Sequence, residues 1–134
     1  MARKTQTADL GTALGSHEPA ASQVLTLYIP DRDRDGRRVV THRRWVSDAL
    51  RLLARIGGGA TCLWGEGSWT NEDTGKTIIE RTAIAYTYIR PVRFVAELSS
   101  LRSFLHDFGR LTNQGEVVVE FDGLFYRIRG FDEG

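Results

Sequence analysis

The chain has 134 residues, 41% apolar and 26% charged, which suits a single globular domain able to bury its own core without metals or disulfides. With 18 basic against 17 acidic side chains and a net charge of +1, no global field steers it to nucleic acid or an anionic membrane, so only local patches remain available. The single cysteine, Cys62, excludes an internal disulfide and fits a reducing cytoplasm or a compartment where disulfides are not used. No run approaches the roughly 18 apolar residues of a membrane span, and no apolar segment follows Arg3-Lys4 as an export signal requires.

Met1 to Ser22 is rich in Ala, Gly, Thr and Ser without apolar period, so a disordered or loosely docked tail is expected ahead of a domain over residues 23–130. His17 and Glu18 fall in that tail and receive no role. Gln23 to Pro30 alternates, with Leu25, Leu27 and Ile29 on one face, and reads as the first strand, closed by Pro30. A charged loop, Asp31 to Gly36, leads to a helix from about Thr41 to Ile56. Its apolar stripe is Trp45, Ala49, Leu52, Leu53 and Ile56, with Thr41 as N-cap and Gly57-Gly58-Gly59 as the stop.

A long β-hairpin follows: a first arm from Ala60 to Trp69, a turn over Asn71 to Gly75, and a second arm from Lys76 to Ile89. Even positions of the second arm (Ile78, Glu80, Thr82, Ile84, Tyr86, Tyr88) share one face, because strand side chains alternate. Arg90-Pro91 breaks the sheet, and a second helix is expected over Phe94 to Phe108 with Leu98, Leu101, Leu105 and Phe108 along its apolar face and Gly109 at its end. Asp122-Gly123 marks a tight hairpin between Glu116–Phe121 and Leu124–Arg129, pairing Phe121 with Leu124, Val119 with Tyr126 and Val117 with Ile128.

The order is β-α-β-β-α-β plus a C-terminal edge strand, the split β-α-β of an α+β ferredoxin-like fold. The antiparallel sheet would carry both helices on one face with the first and third strands central. Leu25, Leu27, Ile29, Ile79, Ala83, Ala85 and Ile89 are then expected to face the helices.

From Leu27 to Ile128 the chain resembles a family of short bacterial α+β proteins in four places: Gly58-Gly59-Ala60-Thr61, Gly65-Glu66-Gly67-Ser68-Trp69, the run Glu80 to Tyr86, and Asn113-Gln114 ahead of Val117-Val118-Val119. The resemblance implies an intracellular α+β domain and brings no established activity or catalytic residues.

No catalytic or cofactor signature stands out. Asp31, Asp33 and Asp35 open a calcium-loop pattern, yet the twelfth position is His42, and Arg32, Arg34, Arg37 and Arg38 oppose a cation. A self-paired charged loop is the plainer reading. Gly65-x-Gly67 is too short for a dinucleotide loop and would serve a bulge, or let Trp64 and Trp69 pack across the strand. Cys62 with His42 or His106 forms a conceivable nucleophile and base, against the ordinary reading of a small buried thiol and a solvated His106.

Glu80 is the most interesting carboxylate: covered, it would serve as an acid or base, and open, it would be hydrated or paired with a basic neighbour. Tyr28, Ile84, Tyr86 and Tyr88, with Trp64 and Trp69, are expected as a binding surface opposite the helices. The leading expectation is a non-enzymatic domain that self-pairs as a homodimer or docks a protein partner there. The alternatives are single-stranded nucleic acid on the same face, with Arg90, Arg93, Arg37 and Arg38 holding phosphates, and a cofactor-free enzyme with Glu80 as acid or base.

Overall fold

The computed structural model describes residues 10–16 and 21–133. The elements are β1 (Val24–Pro30), α1 (His42–Gly57), β2 (Thr61–Thr70), β3 (Thr77–Tyr88), α2 (Pro91–Leu111), β4 (Val117–Phe121) and β5 (Leu124–Ile128). All strand pairs are antiparallel and the spatial order is β2-β3-β1-β4-β5. This is the expected ferredoxin-like arrangement, with β3 and β1 inside and β5 as the added edge. Residues 10–14 form a short helical stretch; residues 1–9 and 17–20 of the expected tail, with His17 and Glu18, lie outside the described residues.

The core sits between one sheet face and the helices. Leu25, Leu27 and Ile29 meet Ala49, Leu53 and Ile56 of α1, all at most 1% exposed. Ala83 and Ala85 opposite them are small, so α1 lies close against β3, whose side chains leave it room. Trp45 packs edge-on to Phe108 at 5.4 Å and Phe104 at 5.8 Å, joining α1 to α2. At the end of α1, Gly58 adopts φ 91° and its N–H bonds the Ala54 carbonyl, a left-handed stop that favours glycine. The C-terminal hairpin takes the expected register, Phe121 opposite Leu124, Val119 opposite Tyr126 and Val117 opposite Ile128.

Several expectations are corrected. Thr41 makes no side-chain cap; its hydroxyl instead accepts the Trp45 indole N–H at 3.1 Å. The second helix begins at Pro91, whose fixed φ starts a helix as readily as it ends a strand, and runs past Gly109 to Leu111. Leu98 is 46% exposed and Ile79 63% exposed, because the first turns of α2 and the tip of the β2/β3 hairpin extend beyond the shared core. His106 is buried, not solvated: its Nδ1 accepts the Asp132 N–H at 2.7 Å, and Phe131 packs against its ring.

Candidate functional site

The face of the sheet opposite the helices carries a groove of about 760 Å³. Its floor comes from β1, β3 and β4, through Tyr28, Glu80, Thr82 and Val118. Trp69 and the Asn71–Asp73 turn wall one side, while Phe125, Arg127 and Arg129 wall the other. The Asp31–Gly36 loop and the Gln114–Glu116 segment close one end. That end is stapled: Gln114 Nε2 donates to the Arg32 carbonyl at 3.1 Å, Asn71 Nδ2 donates to the Arg34 carbonyl at 3.1 Å, and the Arg34 N–H bonds the Asn113 carbonyl at 3.0 Å. Gly36 rests against Ile78, which is why Ile78 is buried although no helix covers its side.

Glu80 projects into this groove half-buried. Its Oε1 accepts the Trp69 indole N–H at 3.2 Å, and among the described residues it forms no ion pair. Burial pushes its carboxyl up to about 7, opposed by the Trp69 hydrogen bond and reinforced by the charge of Asp31. A carboxyl at this position exchanges a proton near neutrality, as an acid or base must. Across the floor, the Tyr28 hydroxyl donates to Glu120 Oε1 at 2.8 Å. Burial, followed by that hydrogen bond and charge, raises the Tyr28 hydroxyl above its ordinary range, so it stays protonated. On the wall, Glu116 faces Arg129 at 3.3 Å and Arg127 at 3.8 Å.

The other sequence candidates separate. Tyr28, Ile84, Tyr86 and Trp69 share the open face with Tyr88, but Tyr86 and Tyr88 lie toward the end of β3 away from Glu80. Trp64 does not join them: it pairs with Ala83, on the helix-side surface, where Arg81 stacks over its ring at 4.4 Å. The β2/β3 ladder is unbroken from Thr61 to Thr70, so Gly65 and Gly67 mark no bulge and do not bring Trp64 and Trp69 together.

The Asp31–Gly36 carboxylates do not converge on a cation position. Asp31 Oδ1 accepts the Arg81 N–H, Asp33 Oδ1 accepts the Asp35 and Arg37 N–H groups, and Asn113 Nδ2 bridges Asp33 and Asp35. Among the described residues no cluster of His, Cys, Asp and Glu can hold a metal ion. Cys62 pairs with Ala85 on the helix-side face and burial raises its thiol, while His42 Nε2 donates to the Ile29 carbonyl at 2.7 Å, so the two form no nucleophile and base. Arg90 packs at the C-terminal end of α1 beside Gly58, and Arg93 sits in the first turn of α2. Arg34, Arg127 and Arg129 are the arginines of the groove. Sequence reading names Arg34 in its charged loop but misses Arg127, Arg129 and Glu120. The only signal available was strand parity, which puts Glu120, Phe125 and Arg127 on the same face as Tyr28 once β1 and β4 are paired.

Among the described residues no helix is long and apolar enough to cross a membrane. No family model and no curated protein sequence matches the chain. Two solved structures do: a phage SAM lyase in complex with S-methyl-5'-thioadenosine, at 15% identity and a TM-score of 0.61 over 84% of this chain and 92% of that one, and a phage SAM lyase in the apo state, at 15% identity and a TM-score of 0.57 over 84% and 93%. The expectation of a non-enzymatic association domain is corrected by this comparison, since nearly the whole described chain takes the fold of an enzyme.

Proposed function

We propose that this chain is a lyase acting in the Glu80 groove on a sulfonium substrate of the S-adenosylmethionine (SAM) type. The observation that carries the reading is Glu80 itself: a half-buried carboxylate held by Trp69 in a groove with aromatic walls. A sulfonium is a compact cation with poor hydrogen-bonding ability, and carboxylates and aromatic faces are what attract it out of water. The groove's volume of about 760 Å³ lies in the range of sites for ligands of nucleoside size. The likeness to phage SAM lyase supports the substrate class through the shared fold.

When a sulfonium C–S bond breaks, the electron pair stays on sulfur and a neutral thioether leaves. The carbon left behind must regain a pair. Either a neighbouring C–H bond supplies it, with Glu80 taking the proton, or a carboxylate within the substrate does, with Glu80 holding the sulfonium charge until it disappears. The experiment is incubation of the purified chain with SAM, following S-methyl-5'-thioadenosine by chromatography and identifying the four-carbon product by NMR. An unsaturated amino acid marks the first route and a lactone the second. Release by the wild type and its loss in Glu80→Gln supports the reading; no release by a folded wild type overturns it.

A further inference from the structure

The groove's charged side chains are mixed, Arg34, Arg127 and Arg129 against Glu72, Asp73, Glu80 and Glu116, but two groups of its floor lean one way. Tyr28 has one proton to donate, and Glu120 Oε1 takes it at 2.8 Å from the neighbouring strand β4. What the hydroxyl then offers any ligand is its oxygen lone pairs. Glu80 uses Oε1 for the Trp69 N–H and, when ionised, accepts only. Tyr28, on β1 opposite Ile84, and Glu80, four residues along β3 from Ile84, both line the groove and both present acceptor oxygens, with the Trp69 ring beside Glu80. These two groups reward a positive charge and give nothing extra to a neutral group of the same shape.

We propose that Tyr28, with its proton held by Glu120, is a specificity-determining residue that makes the groove select the positively charged sulfonium over its neutral thioether. Glu120 is its positioning residue, acting on the ligand only through the direction of the Tyr28 O–H. The inference rests on the Glu80 groove being the ligand site. It also favours product release: substrate enters as a cation, and the thioether product loses the interaction that held it.

The test uses two probes that differ by one methyl group and one charge and that lack the chain a lyase would cleave: S-methyl-5'-thioadenosine and its S-methylated form, 5'-deoxy-5'-dimethylsulfonioadenosine. Calorimetry on the full chain, at about pH 8 where Glu80 is ionised, gives the ratio of their affinities. The wild type is expected to prefer the sulfonium by about tenfold or more, the scale of a partly desolvated cation site. Tyr28→Phe removes the oxygen and should lower that preference severalfold. Glu120→Ala frees the hydroxyl proton to turn toward the ligand and should lower it similarly, with circular dichroism confirming both folds.

An unchanged ratio in Tyr28→Phe overturns the assignment of Tyr28, and an unchanged ratio in Glu120→Ala alone overturns the positioning role. Equal affinity of the wild type for both probes overturns the selectivity while leaving the groove as a nucleoside site. Binding of neither probe overturns the Glu80 groove as the site, and this proposal with it.

Discussion

The two faces of β3 are built from alternate residues of one strand, yet they obey different rules. On the helix side Ala83 and Ala85 are fully buried and apolar, with α1 laid directly on them. On the open side Glu80 and Thr82 are shielded without a helix, by a stapled loop, the curl of the β2/β3 hairpin and Trp69. The first face gains stability by excluding water from hydrocarbon. The second keeps a carboxyl partly desolvated, which costs stability and makes its proton exchangeable near neutral pH. A single strand thus carries the core and the candidate site back to back, and the rigidity of the one positions the other.

Changes on the two faces should separate cleanly. The largest effect is expected on the covered face: Leu53→Ala should lose about 2–5 kcal/mol by deleting a fully buried side chain, read as a lower denaturation midpoint. On the open face, Glu80→Gln should leave the fold intact and cut turnover by about 100-fold or more, about 2.7 kcal/mol of barrier, measured as initial rates of thioether release. Should both variants lose stability alike, the division between the faces fails.

The carboxyl also sharpens the comparison through pH. Glu80 titrates at about 7 in the folded chain against 4.5 for the free group, so between those values the native state holds a proton that the unfolded chain has released. Stability should therefore fall as pH rises through that window, by about 1–2 kcal/mol once solvent screening of the partly exposed carboxyl is allowed for, and be lowest above it. Denaturation at pH 5 and pH 8 should show this in the wild type and a flatter profile in Glu80→Gln. If Glu80 is the base, activity rises with pH over the same window.

A smaller effect is expected where the C-terminal segment covers α2. A Cβ on Gly109 would lie 2.3 Å from the Phe131 ring, so Gly109→Ala should cost about 1–3 kcal/mol by overpacking, relieved when combined with Phe131→Ala. The smallest belongs to the far end of the open face, where Tyr88 is 52% exposed: Tyr88→Ser should shift stability by no more than about 0.5 kcal/mol and leave turnover unchanged.

Much of the architecture was legible because it depends on periodicity. Alternation in Gln23 to Pro30 and in Lys76 to Ile89, helical spacing from Trp45 to Ile56, and the Asp122-Gly123 turn each constrain local geometry, and together they permit few topologies. Glu80 was legible as a candidate because parity places it on a face no helix covers. Trp64 was misplaced because sharing a face with Trp69, five residues on, requires a bulge at Gly65 or Gly67, and the unbroken β2/β3 ladder has none. His106 was misjudged because the residues that bury it, Phe131 and Asp132, lie beyond the last strand and dock back onto α2.

The sequence by itself determined the order of strands and helices, the apolar side of β1 and of α1, and the absence of an internal disulfide, since these follow from side-chain chemistry and local spacing. Only the tertiary structure decided what surrounds the candidate site. Tyr28 and Glu120 are 92 residues apart in the chain and meet at 2.8 Å because β4 pairs with β1. The burial that moves the Glu80 proton comes from a loop and a hairpin folding over its strand. Desolvation and charge act through space, so their sources cannot be read along a chain until its distant segments have been brought together.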